Sequence, residues 1–317
     1  MRIGVVAPSC QLDPAVADQL PVLARKAYGQ DAPDFVIHPQ CFLSAGHFAG
    51  PDAARADAFV EVANDPSIDA IWFARGGYGA CRIAELALPR LTSAAGDKSY
   101  LGYSDAGFLL AGIYAKGIGR VAHGPMPSDL KRTGGEAAVM RGLSWLMDPT
   151  PCDAGEKRVA FNLTILSQVL GTALQPDLSD HILMIEEVGE YMYRIDRSLF
   201  HVTSNPGIRK IAGLMLGRCS DVPDNDPAFV LTEEEVARHW CAQSGIPRTE
   251  KGRWSGDQRP LRCKEKVLTG TSPPHSAAAY WPAAHRAEHW IGPPFWRLPK
   301  SGSARPDWSS PAGLRTK

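Results

Sequence analysis

Through residues 1–125, short β-type runs alternate with helical patterns, and that alternation leaves few folds open. Ile3–Ala7, Asp34–His38, Ala70–Ala74, Tyr100–Gly102 and Arg120–Ala122 read as strands. Between them, Pro14–Tyr28 carries apolar residues at Val16, Leu20, Leu23 and Ala27. Ala53–Asn64 is alanine-rich, Gly79–Leu86 opens a helix, and Ala106–Lys116 forms another. Apolar strands each followed by a helix predict a doubly wound parallel sheet, an α/β fold. In such sheets ligands lie beyond the carboxyl ends of the strands. Arg75-Gly76-Gly77-Tyr78-Gly79, Gly102–Asp105 and His123-Gly124-Pro125 each follow a strand, so all three are expected at that edge.

Glu136–Met147 reads as a helix and Asp148-Pro149-Thr150-Pro151 as a linker. A second α/β pattern follows: helix Asn162–Val169, strand His181–Glu186, helix Tyr193–Thr203, strand Ile211–Leu216 and helix Leu231–Ser244. The first turn of the last helix holds Glu233, Glu234 and Glu235, as the helix dipole prefers. The expected organisation is an N-terminal α/β domain at 1–148, a smaller C-terminal α/β domain at 149–247 and an atypical tail at 248–317. That tail has only six Leu, Ile or Val residues but nine prolines and five of the eight tryptophans, with no helical or strand period. It buries little aliphatic surface against its ordering entropy, so disorder is expected. Its composition also fits a frameshifted reading of the end of the gene.

Thirty-four Lys and Arg balance 34 Asp and Glu, so no basic excess drives binding to nucleic acid. No apolar run reaches the roughly 18 residues of a spanning helix, and Met1–Pro8 reads as a first strand, not a signal peptide. Seven scattered cysteines, without a Cys-x-x-Cys or a close Cys/His cluster, indicate neither a disulfide framework nor a zinc site. A reducing cytoplasm fits, with no membrane partner and no cofactor.

The candidate chemistry centres on Ser104. A β-type run enters it, an apolar helical run leaves it, and Gly102 and Ala106 flank it at minus two and plus two. That strand–tight turn–helix pattern lifts a hydroxyl above a sheet. The following helix offers free N–H groups and a partial positive charge to a developing oxyanion. A plainer alternative is that Ser104 and Asp105 only cap the helix. Glycines at 76, 77 and 79 allow close backbone approach to a ligand, or make an ordinary turn. They match neither a phosphate loop nor a dinucleotide fingerprint, which weakens a nucleotide- or sugar-binding reading. In Glu186-Glu187-Val188-Gly189-Glu190, Glu186 continues a strand and can orient an imidazole. Glu187 reads as a solvated loop residue, and Glu190 is one turn from Arg194. A serine nucleophile needs a base. His123 follows a strand at the expected edge and either lines the site or stabilises a turn. His201 and His239 lie in helical patterns.

Together these segments resemble the LD-carboxypeptidase family of serine peptidases, which also contains the microcin-immunity hydrolases. The likeness runs through Ile3–Ser9, Ala74–Gly79, Leu101–Asp105, His123–Met126, Phe161–Thr172 and Ile185–Arg197, in the family's order, over about residues 1–247. It implies Ser104 as nucleophile, an oxyanion hole from the Gly77 and Asp105 amides, and Glu186 as the acidic triad member. It also implies two domains flanking a groove, a homodimer, no metal, and hydrolysis of the bond to the terminal D-residue of murein tetrapeptides during wall recycling. Arg75, Gly76 and Tyr78 would line the peptide site, with Arg75 either a candidate for the terminal carboxylate or a member of a structural ion pair. The family's third triad member is a histidine in a Gly-His turn downstream of the glutamate. No Gly-His occurs downstream here, and Ile246–Asp257 contains no histidine. A catalytically impaired peptide-binding homologue and a microcin-type peptide hydrolase are the alternatives.

Overall fold

The first strand, β1 (Arg2–Val6), is buried from Ile3 onward and pairs on both sides. Its neighbours are β2 (Asp34–Ile37) and β3 (Ala70–Phe73), and the sheet continues through β4 (Ser99–Gly102) and β5 (Arg120–His123). All pairings are parallel, in the order β2-β1-β3-β4-β5. The protein is seen here in a computed structural model that describes residues 1–149 and 157–249. β3 and β4 are buried at every position because helices cover both faces. On one face α1 (Pro14–Tyr28) and α5 (Gly135–Met147) bring Leu20, Leu143 and Leu146 onto Ile3, Val5 and Trp72. On the other, α2 (Asp52–Asn64), α3 (Ala80–Ala87) and α4 (Gly107–Ala115) bring Phe59, Ile83 and Leu109 onto Val6, Ile71 and Phe73. The order of strand addition reverses between β1 and β3, the place where such sheets open a crevice.

A second, smaller sheet is also parallel: β6 (Lys157–Asn162), β7 (His181–Val188) and β8 (Gly213–Ser220), in that order. It carries α6 (Leu163–Val169), α7 (Met192–Ser204) and α8 (Glu233–Ser244). Thr232 and Glu235 close a reciprocal capping box at the start of α8. Leu183, Ile185, Leu214 and Leu216 belong to the same apolar cluster as α2, α3 and α4, so one core runs beneath both sheets. The seam is α4 against α6. A Cβ at Gly107 would lie 3.0 Å from Ile165 Cγ2, and one at Gly112 would lie 3.1 Å from Leu174 Cδ2. Glycine at those positions lets the neighbours press onto α4 itself.

The α/β class and the strands of the first sheet stand where the sequence places them. β6 was not anticipated, because it opens on Lys157 and Arg158 and its apolar run, Val159–Phe161, is only three residues long. The second sheet also continues past the expected boundary at 247. Leu214 N–H donates to the Pro247 carbonyl, and Thr249 N–H donates to the Leu214 carbonyl. Leu214 and Arg248 thus form a parallel bridge, so Arg248 and Thr249 are sheet residues and not tail. The rest of the proposed tail, and Thr150-Pro151 of the proposed linker, lie outside the described residues. No described helix is long and apolar enough to cross a membrane.

Candidate active site

The turn after β4 holds Ser104 at φ 55°, a left-handed conformation that an L-residue adopts only when its surroundings impose it. The surroundings do so. A Cβ on Gly102 would stand 2.9 Å from the Phe73 ring and 3.2 Å from the Ala106 Cβ, so the turn closes tightly only with small residues on either side. Ser104 is therefore not a simple helix cap. No side-chain cap hydrogen bond forms at the turn, which begins as a 3₁₀ segment over Ser104–Ala106 and continues into α4.

Asp105 is buried with its carboxylate turned away from the cleft. Ser9 Oγ donates to Oδ2 at 2.5 Å and Ala80 N–H donates to the same oxygen at 2.8 Å. Burial pushes this carboxyl above the ordinary aspartate range, while the Ser9 and Ala80 hydrogen bonds pull the other way. With its side chain tying α3 and the turn after β1 to the serine turn, only the Asp105 backbone amide is left for an oxyanion. The glycine turn lies against the other flank. A Cβ on Gly76 would fall 3.0 Å from Ser104 Oγ, so a residue with a side chain there would occupy the space over the hydroxyl. Gly77 has φ 115°, and its Cα backs onto Cys10, whose Sγ would lie 2.3 Å from an added Cβ. Arg75 and Tyr78 are exposed at the rim. Arg75 touches only the Gln11 carbonyl, at 3.5 Å, and no carboxylate stands within ion-pair reach of it among the described residues. The structure thus brings Arg75, Gly76, Gly77, Tyr78, Ser104 and Asp105 to one edge of the first sheet.

Glu186 and Glu187 arrive from the second sheet and face opposite ways, as neighbours in a strand must. Glu187 corrects the sequence reading. It is 3% exposed and accepts four hydrogen bonds: from Asn162 Nδ2 and Val188 N–H on Oε1, and from Thr164 N–H and Oγ1 on Oε2. It is a structural anchor between β7 and the start of α6, where Asn162 caps the helix. Glu186 points out of that anchor. The pairing of β7 with β8 slips between Ile185 and Glu187, so two residues of β8 oppose Glu186. Such a bulge re-aims a side chain. Here Glu186 Oε1 comes within 3.5 Å of His123 Nε2 at the end of β5, across the boundary between the sheets. Glu190 pairs with Arg194 as expected, at 3.5 Å.

Two features were invisible in the sequence. Cys10 Sγ lies 3.3 Å from His47 Nε2, beside the glycine turn, with Phe48 and Tyr78 packed around the imidazole. The Ser9–Asp105 tie joins residues 96 positions apart. A cavity of about 560 Å³ lies elsewhere, at the amino edge of the first sheet near Met1, Asp69, Lys98 and Arg120, far from this chemistry.

Comparison with known proteins bears on this arrangement. The family profile for the LD-carboxypeptidase N-terminal domain matches residues 3–124, and that for the C-terminal domain matches residues 158–251. A protein of Synechocystis sp., provisionally named a carboxypeptidase, is 32% identical over 263 residues, covering 78% of this chain and 83% of the relative. A murein tetrapeptide carboxypeptidase of Pseudomonas aeruginosa is 28% identical over 227 residues, covering 63% and 71%. The crystal structure of a muramoyltetrapeptide carboxypeptidase from Oxalobacter formigenes shares the fold, with a TM-score of 0.66 at 21% identity over 82% of this chain and 93% of that one. With both domain profiles matched in order and more than two-thirds of a 32% identical relative covered, the chain belongs to the LD-carboxypeptidase family.

Proposed function

We propose that this protein is a serine-type LD-carboxypeptidase that removes the terminal D-amino acid from short peptides of the murein tetrapeptide class, a step of wall recycling. Ser104 Oγ attacks the carbonyl of the L,D-peptide bond. The Gly77 and Asp105 amides receive the charge that develops on the carbonyl oxygen, and Glu186 orients the imidazole that carries the proton. Arg75, the exposed cation at the rim, meets the terminal carboxylate, and Gly76 and Tyr78 line the peptide.

The observation that carries this reading is the left-handed Ser104, held in that conformation by Gly102 and Ala106 with Gly76 open over its hydroxyl. Strain of this kind, of order 1–3 kcal/mol, persists at sites where the exposed geometry is used. The name of the Pseudomonas relative supports the substrate class. The test is release of D-alanine from a defined tetrapeptide. Ser104→Ala should abolish it. Hydrolysis that survives the substitution removes Ser104 from the mechanism, and calorimetric binding of the tetrapeptide without release identifies a binding protein instead.

A further inference from the structure

Within the Ser104 reading, on which it rests, we propose that His123 is the imidazole that Glu186 orients in this chain, taking the place of the histidine that the family carries downstream. The strongest sign is an unsatisfied atom. Glu186 Oε1 is buried and has no hydrogen-bond partner among the described residues. Buried carboxylate oxygens are seldom left so, because a stranded acceptor loses its hydration without replacement. The ring that faces it is His123, with Nε2 3.5 Å away and the two side chains 14% and 21% exposed. That separation is just beyond a normal hydrogen bond. Catalytic hydrogen bonds are often long in unliganded enzymes and tighten around substrate.

Strand register puts His123 one strand over from the turn that carries Ser104. His123 pairs with Gly102, two residues before Ser104, on the neighbouring parallel strand. The segment it begins then wraps the serine: the Met126 methyl lies 3.4 Å from the Cβ position of Gly76, which is itself 3.0 Å from Ser104 Oγ. The other groups around His123 are already committed. Tyr103 packs edge-on against the ring, 5.9 Å between centroids, and its hydroxyl donates to Asp129 at 2.8 Å. Asp129 in turn accepts the Met126 N–H at 2.8 Å and stands 3.4 Å from Arg132. Glu186 is the carboxylate left for His123. The other described histidines are placed elsewhere: His38 against Glu61, His47 against Cys10, His181 against the Tyr114 hydroxyl, and His201 and His239 on α7 and α8.

The proton balance is simple. As Ser104 Oγ bonds to the carbonyl carbon, its proton passes to Nδ1 of His123 while Glu186 holds the Nε2–H. When the C–N bond breaks, the same proton goes to the departing amine of the D-amino acid, and water repeats the cycle to release the acyl group.

The experiment follows phosphonylation of Ser104 in the full chain by a fluorophosphonate, read by intact mass, alongside D-alanine release. His123→Gln and His123→Gly should each slow both by about a hundredfold or more, the usual range for losing a general base. Free imidazole in solution should restore part of the rate to His123→Gly, which a purely structural role would not allow. Long-range ¹H–¹⁵N correlation should show the His123 ring protonated at Nε2 in the wild type and lose that preference in Glu186→Gln. Wild-type rates in the His123 variants, no rescue by imidazole, or a ring spectrum indifferent to Glu186→Gln would each overturn the assignment while leaving the serine hydrolase reading intact. Failure of the wild type to label at Ser104 would sink that reading and this one together. If the His123 variants do not fold, the ring spectrum of the wild type against Glu186→Gln decides alone.

Discussion

Replacing Glu187 by glutamine changes one buried oxygen to an amine, and the structure sets the cost. The carboxylate accepts from Asn162 Nδ2 at 2.8 Å, Val188 N–H at 2.9 Å, Thr164 N–H at 2.8 Å and Thr164 Oγ1 at 2.7 Å. Asn162 cannot flip to help, because its Oδ1 already accepts the Ile165 N–H at 3.1 Å. The less costly orientation therefore sets the new amine against Thr164, whose hydroxyl turns to accept and whose N–H is stranded. A hydrogen bond to a charged group contributes about 1.5–3 kcal/mol, and a stranded buried donor costs about 1–3 kcal/mol, part of which returns because a charge is no longer buried. The expected net loss is about 2 kcal/mol. At a urea slope of about 2 kcal/mol per molar, the midpoint of unfolding should fall by about 1 M. Thr164→Val, which removes only the hydroxyl, should cost about 1 kcal/mol. A Glu187→Gln midpoint within about 0.2 M of wild type at that slope would refute the anchor, since a solvated loop glutamate gives that result.

Ser104→Gly and Ser104→Ala should both lose hydrolysis, but the glycine variant should be more stable than the alanine by about 1 kcal/mol, because only glycine is unstrained at φ 55°; equal melting in paired scans would remove the strain argument. Asp105 should make the wild type lose stability as pH rises. Burial makes its carboxyl ionise above the ordinary aspartate range in the folded state, so between that range and its folded ionisation the native state holds a proton the unfolded chain has released. Urea midpoints measured from about pH 4 upward should show that downward contribution in the wild type and its absence in Asp105→Asn. An unchanged difference between the two proteins across the range would contradict it.

The first sheet was legible because its strands alternate regularly with helical patterns and most are short apolar runs closed by a turn signal, and Ser104 and the glycine turn followed from their places at strand ends. The second sheet was only half legible. β6 begins Lys157-Arg158 and hides beside the β7 strand that pairs with it. Glu187 was misread because adjacent acidic residues look like a solvated run, whereas strand alternation sends one inward and the next outward. Nothing local announces that the inward one finds four donors. His123 and Glu186 were each visible as candidates, but their approach depends on how two sheets dock and on one slipped residue in β8, and neither is written in a local pattern. The likeness to the family supplied expected roles for Ser104, Gly77, Asp105 and Glu186; the fold sets the first three at one edge of the first sheet and brings Glu186 from the second sheet to within 3.5 Å of His123.

The α4 helix has a double duty that bears on how the cleft can work. It starts at the serine turn, and its glycine positions are pressed by Ile165 and Leu174 from the second half of the chain. Ser104 therefore sits at the head of the same rod that packs the two halves together. Moving one half against the other would have to break that packing, so the setting of the Ser104 hydroxyl is tied to how closely the two halves meet.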